Sequence, residues 1–345
     1  MHILVDIRTN SPSTLVRFEY GIAWARLWRD YHPNDIITFL ATEGALIEWE
    51  EVIRVSKQRG IFRGRKIAHH KNGPDRIISF SDDAPIDTSI PTITHIFDSA
   101  SILYPRENTG LIERKLLERE YQKLLRHSHH LIVPHLEIGM ELVEIFSIPE
   151  KKISVIPYFI PERHHSPFSR LYPYNITLGY WIVEGTPWDE WNGFSLLHAY
   201  SRYIHENLGT KRLIIAGDLG INLRHITECI RGLDIMDYVK IIGILPTWDR
   251  ECLYEYASGW IAVWAYYSAG PSLAIALSYG LPILSSDIAP LRDAGDLLIH
   301  PNHTDELTQK LVLLSKLFTG NEKYIESAHL VVDVYGRVIA ECTCK

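Results

Sequence analysis

The chain has 345 residues, 46% hydrophobic and 22% charged, with a formal net charge of -7; that leaves room for two ordinary domains, each with its own core. Net acidity argues against a general nucleic-acid binder, and four cysteines are too few for a disulfide framework, which favours a reducing, cytoplasmic setting. No signal peptide is recognisable and no apolar run approaches about 18 residues, so a membrane-spanning helix is not expected.

In chain order, His2 to Ile7 reads as a buried strand, and a polar turn leads into a helix over residues 15–31. The turn has no glycine, which a dinucleotide fingerprint needs so that the backbone can approach a pyrophosphate; a nicotinamide or flavin enzyme is not expected. Arg17, early in the helix, is a candidate for facing an anionic ligand. Strands follow over residues 35–41 and 91–97, the second running into Asp98, with His95 on the same strand face as Phe97. Between them, Arg54 to Lys71 mixes lysine and arginine with Ile61, Phe62 and Ile67 and holds no acid. Such a composition suits an exposed loop, anionic lipid headgroups or a phosphate-bearing acceptor.

Residues 110–127 read as a charged amphipathic helix, 131–133 as a strand and 137–146 as a further helix. His127, His129, His130 and His135 straddle a helix end and a strand without regular ligand spacing, so no metal centre is expected there, and Cys342 with Cys344 makes only half of a tetrahedral site. Pro157, Pro161, Pro167 and Pro173 mark a linker over residues 161–175. The pattern then restarts, with strands over 176–183, 212–216 and 239–243 and helices over 194–206 and 248–257. Residues 260–267 form another apolar strand, Ser268 to Ser272 a turn and helix start with Pro271 at the first helical position, 273–279 a helix, and 283–286 a strand ending at Asp287. Helices over 307–317 and 324–338 complete the chain. Strands alternating with helices imply a second parallel sheet covered on both faces. Trp181, Trp188, Trp191, Trp248, Trp260 and Trp264 suit core packing, sugar stacking or a protein interface.

Gly270, Ala276, Gly280, Pro282, Ser286, Asp287, Pro290, Leu291 and Arg292 stand in the order of a known donor-site signature. Through them the chain resembles the retaining glycosyltransferases of family 4, over nearly its full length. The resemblance implies an α/β GT-B fold, two Rossmann-like parallel-sheet domains facing a central cleft. Residues 1–160 would be the acceptor-side domain, 176–320 the donor-side domain, and 321–345 a helix crossing back to the first. It implies sugar transfer from a nucleotide-sugar donor to a glycan, lipid or protein acceptor, with no divalent metal required. Asp98 and His95 become the catalytic candidates under this resemblance. Ser268, Gly270, Ser272 and Arg17 would bind the donor diphosphate, and Gly243 and Ile244 would pair its base through backbone groups.

Two departures stand beside the match. Tyr267 and Ile275 occupy positions where the family carries glutamates, and isoleucine cannot accept hydrogen bonds from ribose hydroxyls. Residues 184–193 hold Glu184, Asp189 and Glu190 and no base, where the family clamps the diphosphate with a positive pair. Two readings therefore stay open: a transferase with an altered donor site, and a catalytically silent relative acting as a binding or partner subunit. A fold-related epimerase or phosphorylase rests on analogy alone. Peripheral contact with an anionic membrane at the inner face through Arg54 to Lys71 and a protein partner are further expectations; nucleic acid is not.

Overall fold

The computed structural model describes residues 1–8, 15–43, 45, 47, 49–55, 57–58, 61–62, 73–85, 89–103, 110–159, 165–184, 192–217, 219, 222–264, 270–288, 291–300, 306–317 and 328–341. The chain divides into two compact units, Met1–Phe159 with Glu326–Lys345, and Ile160–Ile325.

The first unit opens with β1 (His2–Asp6), α1 (Leu15–Tyr31), β2 (Ile36–Thr42) and β3 (Val52–Val55), then a short antiparallel ribbon of β4 (Lys57–Gln58) and β5 (Ile61–Phe62). It continues through β6 (Arg76–Ser79), β7 (Thr92–His95), α2 (Ala100–Leu103), α3 (Leu111–His127), β8 (His130–Val133), α4 (Leu136–Glu144) and β9 (Ile153–Val155). Seven strands pair in the order β3-β2-β1-β6-β7-β8-β9, every neighbouring pair parallel. Helices cover such a sheet on both faces, so its inner strands are apolar runs rather than alternating ones: Ile3, Leu4 and Val5 of β1 are all fully buried. From α1, Tyr20, Trp24 and Trp28 enter the core, and the two indoles stack at 5.4 Å.

The second unit repeats the plan with β10 (Tyr180–Glu184), α5 (Gly193–His205), β11 (Arg212–Ala216), α6 (Leu223–Gly232), β12 (Val239–Gly243) and α7 (Thr247–Glu255). Then come β13 (Trp260–Ala262), α8 (Gly270–Ser278), β14 (Ile283–Ser286), α9 (Leu291–Ala294), β15 (Leu297–Ile299) and α10 (Leu307–Leu314). Its six parallel strands take the order β12-β11-β10-β13-β14-β15. The last helix, α11 (Ala328–Glu341), belongs to the first unit and packs on α1.

Both sheets are doubly wound: strand order runs one way from β1 and from β10, then reverses. In such sheets ligands lie outside the carboxyl ends of the strands at the reversal, which here falls between β1 and β6 and between β10 and β13. Trp181, Trp260 and Trp264 are core residues of the second unit, whereas Trp188 and Trp191 lie outside the described residues. Part of the proline-marked linker is structured: Phe168–Tyr174 is a 3-10 helix held to α7 by Arg170 Nε and Tyr174 Oη, which donate to Asp249 at 3.0 and 2.7 Å. No helix among the described residues is long and apolar enough to cross a membrane.

Candidate functional site

At the reversal in the first unit, β1 ends in Asp6, and Arg8 folds back onto it. Arg8 Nε and Nη2 donate to the two Asp6 carboxylate oxygens at 2.8 and 2.6 Å, and Nη2 also reaches the Ala84 carbonyl at 3.1 Å. Ser79, at the end of β6, donates its hydroxyl to the same carboxylate at 3.4 Å. Both charges are buried and both are matched, so this pair anchors the carboxyl edge of the sheet and leaves little charge for a ligand. The sequence reading had not singled it out.

One strand further on lies the group built around Arg17. Its guanidinium pairs with Asp82, donates to Asp98 Oδ2 at 3.0 Å and sits over the Phe97 ring, 5.0 Å from the centroid. Burial works against the charge, but the two carboxylates hold the Arg17 pKa above the ordinary arginine value. Arg17 and Asp98 are thus brought together, with the arginine positioning the carboxylate. Tyr158 stacks on Phe97 with ring centroids 5.9 Å apart, and its buried hydroxyl has no hydrogen-bond partner among the described residues. Ser99 and Tyr121 share a hydrogen bond of 3.1 Å beside this group.

His95 is placed differently from Asp98. Its side chain lies in the core, 5% exposed, stacked between Phe80 at 4.5 Å and Tyr335 at 5.4 Å, with Nε2 hydrogen-bonded to the Tyr335 hydroxyl of α11. Burial pushes its pKa down to about 3. A neutral imidazole enclosed by rings fits a core-packing histidine better than a catalytic candidate beside a sugar. Phe97, on the same strand face, is buried with it at 3%.

At the reversal in the second unit, Glu184 ends β10 and is buried. Tyr254 donates its hydroxyl to Glu184 Oε2, and Arg250 Nε stands 3.9 Å from Oε1; both partners come from α7. Burial followed by the Glu184 charge lifts the Tyr254 pKa well above its usual value, with Ser272 in the first turn of α8 acting in the other direction. Ser272 is itself buried, and Ile275, one turn on, is 8% exposed and packs in the core. Gly270 is the first residue of α8; Ser268 and Tyr267 lie outside the described residues. The loop after β10 holds no base, but Arg250 brings a cation to its root.

Along the edge strand β12 a concavity of about 620 Å³ opens between α6 and the sheet, lined among others by Gly217, Leu223, Ile230, Met236, Gly243 and Ile244. Gly217 and Gly243 have φ of 109° and 68°, conformations that side-chain-bearing residues rarely adopt, and Gly217 N–H donates to the Gly243 carbonyl at 2.7 Å. Thr227 in the same wall spends its hydroxyl on Leu223 O, 2.7 Å away. Of the sequence candidates, Gly243 and Ile244 line this hollow, while Ser272 is buried in the first turn of α8. Among the described residues no group of three or more His, Cys, Asp or Glu is placed to hold a metal ion. His129 accepts from Thr92 N–H at 3.1 Å, and His130 bonds Ser154 at 2.9 Å.

No family model matches the chain, and no curated protein matches it. Solved structures do. The Anabaena protein HepE, solved with UDP and glucose, is 13% identical, with 99% of this chain and 100% of that one covered at a TM-score of 0.69. Sucrose-phosphate synthase from Thermosynechococcus elongatus is 12% identical, with 99% of each chain covered at 0.68. WaaG, a glycosyltransferase of lipopolysaccharide biosynthesis, is 13% identical, with 100% of this chain and 96% of that one covered at 0.65. At such identities the likeness speaks for architecture, and that architecture, two parallel Rossmann-like units in one chain, is the GT-B glycosyltransferase fold.

Proposed function

We propose that this chain is a glycosyltransferase that moves a sugar from a nucleotide-sugar donor to a glycan, lipid or protein acceptor, with retention at the anomeric carbon and without a divalent metal. The observation that supports it best is the coincidence of polar groups with both sheet reversals, in a fold shared with a protein solved with UDP and glucose. The second unit takes the donor. Its base meets Gly243 and Ile244, its diphosphate the first turn of α8 at Gly270 and Ser272, where unsatisfied N–H groups and the helix dipole favour anions. Arg250, buried against Glu184, offsets that acid at the root of residues 184–193, which hold no base. The first unit takes the acceptor, with Asp98 oriented by Arg17 beside the hydroxyl that attacks. The sugar's bond to the diphosphate breaks, the acceptor oxygen bonds the anomeric carbon, and the proton leaves toward Asp98 or the departing phosphate. Peripheral contact with an anionic membrane through Arg54 to Lys71 belongs to the same proposal; of that segment, Arg54 is exposed and donates to Ala45 O at 2.6 Å.

A second reading, a silent partner subunit, draws support from Ile275. A buried apolar side chain stands where the resembling family places a ribose-binding glutamate. Calorimetric binding of uridine, guanosine, adenosine and thymidine diphosphates and their sugars, with and without magnesium, separates the two. Saturable binding of one nucleotide, lost in Ser272→Arg and Gly270→Val, is expected for the transferase. A folded protein that binds none of them is the silent subunit.

A further inference from the structure

The carboxyl edge of the first sheet carries more acid than base. Among the described residues there, Arg8 and Arg17 stand with Asp6, Asp82, Asp83 and Asp98. Both guanidiniums are already spent. Arg8 donates to both Asp6 oxygens and to the Ala84 carbonyl. Arg17 gives one terminal nitrogen to Asp82 and the other to Asp98, with its face over the Phe97 ring, so an incoming anion would have to displace a carboxylate to reach it. The excess of negative charge is felt by the neighbouring carboxyls. Burial first, and the Asp98 charge besides, raise the Asp82 pKa in spite of Arg17, and the same two causes raise that of Glu141 on α4 against the opposing effect of Ser99.

The group built on Arg17 is also graded from open to closed. The Asp82 side chain is 55% exposed, Arg17 21% and Asp98 10%. The Tyr158 hydroxyl completes the series, buried outright and without a hydrogen-bond partner. It belongs to the same group, since the Asp98 charge acts on it: burial first and that charge next lift the Tyr158 pKa well above its usual value. A buried hydroxyl left without a partner is costly, and a ligand that supplies the partner recovers that cost. A sugar hydroxyl suits both sides of such a site, because it accepts from Tyr158 while donating to Asp98. A phosphate suits neither. It brings about -1.5 to -2 of charge to an edge that is already net negative, and as a fully ionised group it has no proton to donate to a carboxylate.

We propose that the acceptor held by Asp98 and Tyr158 is an uncharged polyol, a sugar residue with no phosphate or carboxylate beside the hydroxyl that attacks. The inference rests on the transferase reading and narrows its acceptor. Saturation-transfer NMR titrations of the full chain test it, comparing the methyl glycosides of glucose, galactose and mannose with the 6-phosphates of the same glycosides. At least one neutral glycoside is expected to bind, and its 6-phosphate to bind about tenfold or more weakly. Tyr158→Phe should weaken the neutral glycoside. Asp82→Asn, at the exposed end of the group, releases one edge of Arg17 and should close most of the gap between the neutral and phosphorylated forms. An unchanged thermal midpoint certifies the fold of each variant. A 6-phosphate that binds as tightly as its neutral counterpart, or a preference that Asp82→Asn leaves unmoved, overturns the proposal. Calorimetric nucleotide binding on the same sample keeps the two readings apart. A protein that binds a nucleotide but none of the neutral glycosides overturns the acceptor class alone, and one that binds neither overturns both.

Discussion

The Glu184 carboxylate stands 3.9 Å from the Arg250 guanidinium, and both side chains are 7% exposed. Arg250→Met should therefore cost about 3–5 kcal/mol in urea unfolding, because it leaves an uncompensated buried carboxylate. Adding Glu184→Gln should recover most of that loss, since glutamine still accepts from Tyr254. Ligand binding separates the residues in the other direction. Glu184→Gln alone removes a negative charge at the root of the donor loop and should tighten a nucleoside diphosphate by about tenfold, while leaving the free nucleoside unchanged. Calorimetry on the two ligands checks the difference.

His95 makes stability depend on pH. Its folded pKa of about 3 lies below the unfolded value near 6.5, so the unfolded chain binds the proton more readily. Its contribution is intact above about pH 6.5 and is lost progressively as the pH falls toward 3. The loss should reach about 3 kcal/mol by about pH 4.5. His95→Phe keeps the stack between Phe80 and Tyr335 and should flatten this part of the curve. Denaturant unfolding at a series of pH values gives the slope, and an unaltered slope in the variant would assign the acid sensitivity to other groups.

Elements with long or strongly patterned signals were legible before the fold was known. Helix α1 has the anticipated limits, β11, β12 and β14 coincide with their apolar runs, and α8 starts within its glycine-proline turn. What escaped were short strands with little pattern of their own. Arg76–Ser79 has four residues between a basic run and an acidic turn, and only its pairing with β1 and β7 makes it a strand. The site divides in the same way. Asp98 could be found because a strand run points at it. The Glu184–Arg250 pair joins residues far apart in sequence, and nothing local in α7 reveals that Arg250 turns inward at the end of β10.

Tyr158 offers a test of whether the Asp98 group receives a ligand. Its hydroxyl has no partner among the described residues, so Tyr158→Phe removes a desolvated polar atom without breaking a hydrogen bond. Stability should stay level or rise by up to about 1 kcal/mol. If the hydroxyl is reserved for an acceptor, the same variant raises the acceptor KM and leaves kcat nearly unchanged. Asp98→Asn should instead lower kcat by about a hundredfold to ten-thousandfold, the usual worth of a positioned acid or base. Steady-state kinetics on the two variants distinguish binding from proton transfer.

Gly243 and Gly209 make a matched pair of controls for the hollow along β12. A Cβ at Gly243 would meet no atom within 4 Å, so the cost of Gly243→Ala is conformational, set by its φ of 68°, and should be about 1–2 kcal/mol. Gly209 is the opposite case: a Cβ there would run into the Tyr203 ring and hydroxyl, so Gly209→Ala loses stability through packing. Both variants should lower the thermal midpoint. Only Gly243→Ala should also weaken nucleotide binding when measured at a temperature where both are folded, because Gly243 lines the concavity and its carbonyl fixes Gly217. Equal nucleotide affinity in the two variants would move the base away from β12 to another part of the second unit.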